Sequence, residues 1–390
     1  MQRAVGYEFE TGWLVADRTP IEVWRLSGAR GTPPLPRPLA KKELVYGGDG
    51  FKVEADEAAG GKAELEFIVH PPVEASALGR DTLYERMVGM TLLGARLLRA
   101  AANREGAALM FDQVTGNRDD RKFAIWPNDE ELKAGPQVTA GITLGKVQQL
   151  GRRQAGGEEL PAAFSATVAA MGNLRENVAA VTATLPPQLA PGSPELHSLL
   201  GLVAAYMEAG ETAVFYPKQI TDRVLLARTD FATLFKMLPK NEQDWFRKTP
   251  RDFVALALVS AQLGDHDPNK QVITKVWTDE NMTDRHPVGP TRERWLWFMT
   301  QGYDLLSSLH YRELASSYAD RPEEARLGTE LESLGEMGAR TEEVGAARQQ
   351  GGIFELRSAA LSRTKLPLLQ WEPFTAQVMR YLIALENGAG

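Results

Sequence analysis

Residues 6–10, Gly-Tyr-Glu-Phe-Glu, alternate carboxylates with aromatic side chains at a period of two. Successive side chains of a β-strand point to opposite faces of its sheet. A strand through this stretch therefore turns Tyr7 and Phe9 toward a hydrophobic layer and places Glu8 and Glu10 side by side on the other face. The stretch predicts a sheet with one apolar face and one acidic face.

Two later segments have the same alternation. In residues 62–70, Glu66 lies between leucine and phenylalanine, and in residues 351–358 phenylalanine and leucine alternate with Glu355 and Arg357. A solvated face of an antiparallel sheet explains any one such strand. Taken together, the acidic rows favour a site where hard divalent cations with oxygen ligands, Mg²⁺ or Mn²⁺, balance converging carboxylates.

The rest of the N-terminal part also favours strands, separated by turn signals such as the glycines at 47–48 and 60–61. One helix interrupts them, and Thr82 with Glu85 predicts a capping box at its start. This order favours an α+β fold in which helices cover one face of a mainly antiparallel sheet. The predicted strands are 3–10, 43–46, 50–56, 62–70, 137–144 and 351–358.

The chain is predicted to form a single domain over residues 1–390. Residues 1–159 form its strand-rich half, residues 160–350 a mainly helical insertion, and residues 351–390 a final core strand and a terminal helix. Residues 318–350 are polar and predict a mobile loop or a loosely held helix. The predicted helices are 160–185, 193–210, 250–263, 290–313 and 371–386.

The composition excludes several classes of function. The net charge is −7 and no long Lys/Arg run occurs, so the sequence predicts neither a nucleic-acid partner nor a membrane partner. The absence of cysteine excludes disulfides and Cys-ligated metal sites. The N-terminus lacks an apolar signal core, so we expect a cytoplasmic protein or one exported without a signal peptide.

Three segments carry a resemblance to a known family. The stretch 6–10 resembles the Gly-x-Glu-x-Glu opening strand of the glutamine-synthetase-like carboxylate–amine ligases, which include glutamate–cysteine ligases and bacterial amidoligases. Residues 64–72 resemble their second block, with Glu66 at the ligand position. Residues 352–357 are similar to their late Glu-x-Arg strand, in which the Glu helps to hold metal and the Arg contacts the transferred phosphoryl group.

The resemblance implies a sheet curved around ATP and two or more Mg²⁺ ions. It implies that a small-molecule or peptide carboxylate is converted to an acyl phosphate, which an amine substrate then attacks. Arg357 and Glu66 are the catalytic candidates, with Arg357 on the γ-phosphate. The implied metal ligands are Glu8, Glu10, Glu66 and Glu355.

The sequence departs from the family in its middle strand. Ligases of this group carry a His-x-His strand that contacts metal and nucleotide, whereas the counterpart here, residues 137–141, reads Gln-Val-Thr-Ala-Gly. Gln137 and Thr139 share a strand face and are the candidates for binding the cofactor. The departure leaves two alternatives open. The first is a metal-dependent hydrolase that does not use ATP. The second is a catalytically degenerate module that acts on a protein partner, either as an interaction domain or as a secreted domain of the effector or toxin type.

Other candidates are weaker. Arg228 follows an apolar run and is a candidate for a phosphate or carboxylate clamp, while Arg292 is expected to pair with acids at the surface. His70 lies at the end of a predicted strand, beside the expected site. No Walker loop or Rossmann fingerprint occurs, so ATP binding must use metal and side chains.

Overall fold

The computed structural model describes residues 4–59, 61–104, 108–116, 121–152, 154–212, 225–273, 288–303, 351–357 and 365–388. They form a mixed α+β structure with a large, mainly antiparallel sheet, as the sequence predicts. The chain divides into two compact units. The first comprises Val5–Val138 and Leu361–Met379, and the second comprises Met1–Ala4, Thr139–Ala360 and Arg380–Gly390.

The first unit contains most of the strands. Their order is β2-β3-β4-β1-β8, and β1 also pairs with β5 and β7. The β1–β4, β3–β4, β2–β3 and β1–β7 pairs are antiparallel. In chain order the elements are β1 (Ala4–Asp17), α1 (Thr19–Leu26), β2 (Leu44–Gly48), β3 (Phe51–Ala59), β4 (Lys62–Val69), β5 (Val73–Glu74), α2 (Ala77–Ala102), β6 (Leu109–Met110), α3 (Phe111–Thr115), β7 (Phe123–Trp126) and β8 (Ala134–Thr143).

The second unit is mainly helical and includes the last residues of β8. Strand β14 lies between β8 and β11, so the final predicted strand does return to a sheet. Residues 371–379 of α11 belong to the first unit. The elements are α4 (Leu144–Val147), β9 (Gln154–Ala155), β10 (Glu158–Glu159), α5 (Ser165–Thr182), α6 (Pro194–Thr212), β11 (Leu226–Ala227), α7 (Phe231–Phe235), α8 (Lys240–Lys248), α9 (Pro250–Ser260), β12 (Gln271–Ile273), β13 (Val288–Thr291), α10 (Arg292–Thr300), β14 (Gly351–Arg357) and α11 (Trp371–Asn387).

The apolar face of β1 is covered as its alternation predicts. Val5, Tyr7 and Phe9 are fully buried, while the residues between them are partly exposed. The Phe9 ring stacks on Trp371 of α11 with 4.5 Å between ring centroids and an interplanar angle of 10°. Phe67 of β4 meets the same indole edge-on at 5.3 Å. One tryptophan thus joins the apolar sides of two adjacent strands, which leaves their opposite side for polar groups.

Aromatic packing also forms the core of the second unit. Phe253 of α9 contacts Phe235 and Phe246 with centroid separations of 5.5 and 5.4 Å. Phe231 of α7 meets Trp295 of α10 at 5.2 Å. Rings at these separations and steep interplanar angles have the edge-to-face geometry that aromatic quadrupoles favour. Trp295 is fully buried and is therefore a core residue.

The predicted start of the long helix is wrong. Helix α2 begins at Ala77, and the Ser76 hydroxyl accepts a 3.1 Å hydrogen bond from the Gly79 amide. Thr82 lies inside the helix and donates to the Leu78 carbonyl at 3.1 Å. A serine N-cap three residues before glycine forms half of a capping box, so the sequence signal was weaker here than at Thr82.

Four of the other predicted helices, those over 160–185, 193–210, 250–263 and 371–386, are confirmed with shifted ends. The helix predicted over residues 290–313 begins at Arg292 and ends at Thr300 as α10. Residues 304–313 and the predicted mobile stretch 318–350 lie outside the described residues. Where the chain is described, no helix combines the length and apolarity needed to cross a bilayer.

Candidate metal centre

Three carboxylates of the first unit meet on the polar side of its sheet. Glu10 of β1, Asp56 of β3 and Glu66 of β4 each offer an oxygen within 4.8 Å of the other two. Strand register produces this group, since Glu66 lies directly opposite Glu10 on one side and opposite Glu54 on the other. Asp56 follows Glu54 by two residues and shares its face. Adjacent strands thus bring together acids that are far apart in sequence.

The group is largely shielded from solvent. Asp56 and Glu66 are 9% and 7% exposed, and Glu10 is half-buried. Burial, with added repulsion from Glu8, Asp56 and Glu10, raises the pKa of Glu66 to about 10. In the absence of a cation, the group therefore keeps a proton on Glu66 at neutral pH.

Neighbouring side chains balance part of the remaining charge. The Lys41 ammonium lies 2.8 Å from an Asp56 oxygen, and the Lys52 ammonium lies 2.7 Å from Glu54. The Gln137 side-chain amide of β8 donates a hydrogen bond to Glu10. These contacts fix the orientation of carboxylates that would otherwise repel one another.

The donor set fits a hard divalent cation. The site offers carboxylate oxygens from three strands, and Mg²⁺ and Mn²⁺ prefer such ligands. The Gln137 Oε1 atom is buried and accepts no hydrogen bond from the described residues. A buried acceptor without a donor costs about 1–3 kcal/mol. A cation, or a water bound to one, would satisfy this oxygen.

Two further predicted site residues, Glu8 and Thr139, are not members of this group. Glu8 points to the polar side of β1, opposite Ile68, and its charge contributes to the raised pKa of Glu66. Thr139 is half-buried in β8, two residues after Gln137, and belongs to the second unit. Their assignments to metal and cofactor stay predictions.

The second unit contains a charged cluster around Glu355 of β14. The Arg228 Nε atom donates a 2.6 Å hydrogen bond to Glu355 Oε2, and Arg357 donates to the other carboxylate oxygen. Glu355 is fully buried, and both arginine side chains are mostly buried. Strand β11 places Arg228 here, because Leu226 is the cross-strand partner of Glu355.

The electrostatics of this cluster are the reverse of those at Glu66. Burial raises the pKa of Glu355, but the guanidinium groups of Arg357 and Arg228 outweigh it and hold the pKa below its usual range. Two cations on one carboxylate leave a net positive charge. Glu355 therefore orients a pair of guanidinium groups, and its assignment as a metal ligand stays a prediction.

The two remaining weak candidates, His70 and Arg292, differ in their exposure to solvent. His70 is exposed beyond the end of β4. The expectation that Arg292 pairs at the surface is wrong, because its side chain is fully buried and contacts Glu211 and, at 3.2 Å, Asp265. Arg292 begins α10 directly after β13, so the fold carries it inward while its acidic partners remain nearer the solvent.

Asp56 is the residue of the group that the sequence did not single out. Lys52, Glu54 and Asp56 alternate with Phe51, Val53 and Ala55, so β3 has the same pattern as the other acidic strands. The signal was present in the strand predicted over 50–56. Lys52 near the start of the strand makes the pattern less acidic, and the register between β3 and β4 cannot be derived from the sequence. The approach of Asp56 to Glu10 and Glu66 was therefore not predicted.

Comparison of the chain with protein-family models, curated proteins and solved structures gives no match.

Proposed function

We propose that the protein is an ATP- and Mg²⁺-dependent ligase that joins a carboxylate to an amine, with a fold of the glutamine-synthetase-like type. The observation that carries the proposal is the group of Glu10, Asp56 and Glu66. Two of these three residues occupy the positions at which residues 6–10 and 64–72 resemble the family's metal-binding strands. A sheet with one acidic face supports the same assignment.

In the proposed reaction, a carboxylate oxygen of the substrate attacks the γ-phosphorus of ATP, forming an acyl phosphate and releasing ADP. The amine then attacks the acyl carbon, phosphate leaves, and the amine loses a proton as the amide forms. Phosphoryl transfer depends on positioned charge rather than on a nucleophilic side chain. The absence of cysteine is therefore no obstacle to this reaction.

The residues have separate roles in this proposal. Glu10, Asp56 and Glu66, together with Glu8, would hold divalent cations, which neutralise phosphate charge when bound. Glu355 holds Arg228 and Arg357 in fixed orientations, and the proposal assigns Arg357 to the transferred phosphoryl group. Gln137 supplies an amide oxygen at the strand where the family has imidazole.

The first test is nucleotide binding. We expect calorimetry to detect ATP binding only when Mg²⁺ or Mn²⁺ is present, and Glu66→Gln to weaken it. The matched control is Glu64→Gln, which removes an exposed carboxylate from the same face of β4. ATP binding that is unchanged in Glu66→Gln would count against the proposed site.

The second test detects the acyl phosphate. Pools of carboxylates are incubated with the protein, Mg²⁺, ATP and hydroxylamine, which converts acyl phosphates to hydroxamates. Metal-dependent ADP release together with hydroxamate supports the ligase. Cation binding without nucleotide binding would instead indicate the metal-dependent hydrolase.

The second candidate is a non-catalytic module that keeps the fold and acts on a protein partner. The hydrogen bond from Gln137 to Glu10 favours it, because a carboxylate held by an amide needs a cation less than a bare one does. This candidate predicts that Mn²⁺ fails to bind at millimolar concentration. Micromolar Mn²⁺ binding that is lost in Glu10→Gln would exclude it.

A further inference from the structure

Helix α2 carries an exposed stripe along its full length. The residues of this outer stripe recur at spacings of three and four, which keeps them on one face of an α-helix. Leu78 is 74% exposed and Leu92 is 57% exposed, with Val88 between them and Tyr84 beside the stripe, also exposed. The outer stripe comprises Leu78, Asp81, Glu85, Val88, Leu92, Arg96 and Arg99.

The charges of the outer stripe are segregated. Asp81 and Glu85 lie in its N-terminal half, and Arg96 and Arg99 lie in its C-terminal half, all of them exposed. Like charges three or four residues apart on a helix repel and destabilise it slightly. Arg99 lies in the last turn of α2, where a cation interacts favourably with the helix dipole, but neither of the two like-charged pairs stabilises the helix. Its opposite face is the buried one, carrying Leu83, Met87, Met90, Leu93 and Leu97.

We propose that the outer stripe binds the outer stripe of a second copy of this chain, with the two helices antiparallel. If the two-fold axis passes near residue 90, residue 81 of one copy faces residue 99 of the other, and residue 88 faces residue 92. Val88 and Leu92 then pack at the centre, where both copies contribute apolar surface. Each acidic end faces a basic end.

The self-complementarity of the outer stripe identifies a second copy of this chain as its partner. An isologous interface requires that a surface match itself after a two-fold rotation. The outer stripe meets this requirement twice, once in charge and once in its apolar centre. The acidic and basic ends are about 18 residues apart, which corresponds to ~27 Å of helix. Both charge pairs therefore form only when the two helices lie side by side along this whole length.

Tyr84 adds a further contact in the same register. In the antiparallel arrangement, residue 84 of one copy faces residue 96 of the other, which brings an aromatic face to a guanidinium. Such cation–π contacts contribute about 0.5–1 kcal/mol at exposed sites. Tyrosine and arginine are also enriched at the centres of protein interfaces.

The test measures the oligomeric state by sedimentation velocity on the full chain from ~1 to ~200 µM, a range that covers micromolar dissociation constants. The basic variant combines Asp81→Arg with Glu85→Arg, and the acidic variant combines Arg96→Glu with Arg99→Glu. We expect wild type to dimerise and each variant alone to dimerise at least ~10-fold more weakly. A 1:1 mixture of the two should recover the dimer.

The matched control is Glu130→Arg with Glu131→Arg, which makes the same change of charge at exposed residues of the first unit outside α2. It should dimerise like wild type. Because the substituted side chains are exposed, circular dichroism should show unchanged folding in every variant. A wild-type monomer throughout the range, or a dimer that all variants retain, would overturn the proposal.

A second measurement reports the orientation. The chain contains no cysteine, so an introduced thiol is unique. Asp81→Cys mixed with Arg99→Cys should form a disulfide-linked dimer under mild oxidation, several-fold more than either variant alone. Equal or greater cross-linking in Asp81→Cys alone would indicate parallel helices and overturn the antiparallel arrangement.

Discussion

Glu10 of β1 and Glu66 of β4 are direct cross-strand partners in an antiparallel pair. Like charges in this position destabilise a sheet, and here the repulsion is increased by Asp56 within 4.8 Å. Protonation of Glu66 or binding of a cation relieves it. The pH dependence of stability reports on the first form of relief, and the affinity for a divalent cation reports on the second.

Glu66→Gln should stabilise the cation-free protein increasingly as pH rises. The folded pKa of about 10 lies above the ordinary value of 4.5, so between these values the folded state binds the proton and the unfolded state does not. The free energy of unfolding therefore falls as pH rises through this window, by up to about 1.4 kcal/mol per pH unit. Thermal unfolding in EDTA from pH 5 to 9 measures the effect, and parallel curves for wild type and Glu66→Gln would contradict it.

Removing one carboxylate of the group should weaken divalent-cation binding. We expect Glu10→Gln, Asp56→Asn and Glu66→Gln each to reduce Mn²⁺ affinity at least ~10-fold, because each removes a charged oxygen ligand. Glu64→Gln serves as the control on the same face. Equal Mn²⁺ dissociation constants for Asp56→Asn and Glu64→Gln, measured by electron paramagnetic resonance, would exclude Asp56 as a ligand.

Glu355→Ala should strongly destabilise the second unit. Glu355 is fully buried between Arg228 and Arg357, so its removal leaves two mostly buried guanidinium groups without their shared carboxylate. Breaking a buried ion pair from one side typically costs about 3–5 kcal/mol. Urea unfolding measures the loss.

The control for this prediction is Glu158→Ala, which breaks the more exposed 3.2 Å pair with Arg380. Pairs of that kind contribute about 0–1 kcal/mol. A loss for Glu355→Ala no larger than that for Glu158→Ala would show that the guanidinium pair does not depend on its carboxylate.

Gly79→Ala should destabilise the first unit although alanine is the better helix former. A Cβ atom at position 79 would lie 1.8 Å from the Glu74 carbonyl oxygen, so α2 and β5 would have to separate. Overpacking of this kind costs about 1–3 kcal/mol. Equal or higher stability of Gly79→Ala in urea would contradict the close approach.

Gly201→Ala in α6 should instead increase the free energy of unfolding. There the nearest atom to an added Cβ is the Met171 methyl carbon at 3.7 Å, an ordinary contact. Replacing a mid-helix glycine with alanine then stabilises by about 0.5–1 kcal/mol. The two glycines together separate the effect of packing from that of helix propensity.

The acidic face could be predicted because alternation along one strand is a local property. Glu8 and Glu10 lie on the polar side of β1 as the pattern over residues 6–10 indicates. The end of β1 was missed even though Trp13 and Val15 continue the alternation. The register between β1 and β4 shifts after Glu10, and no pattern within a single strand reveals such a shift.

The partners of the site residues could not be predicted, because they depend on which strands become neighbours. The position of Arg228 is set by β11, a strand of two residues that leaves no periodic signal. Asp56 joins Glu66 only through the β3–β4 register. Helix α8 is so polar that its sequence resembles a loop, yet it buries Phe246 in the core.

The stacking of Phe9 on Trp371 has a consequence during protein synthesis. Ribosomes add about 5–20 residues per second, so β1 leaves the exit tunnel roughly 20–70 s before the indole that covers it. Throughout that interval, the apolar side of the strand has no native partner at this position. Nascent chains of this protein should therefore be clients of chaperones that bind early apolar segments, and they should be released only after residue 371 emerges.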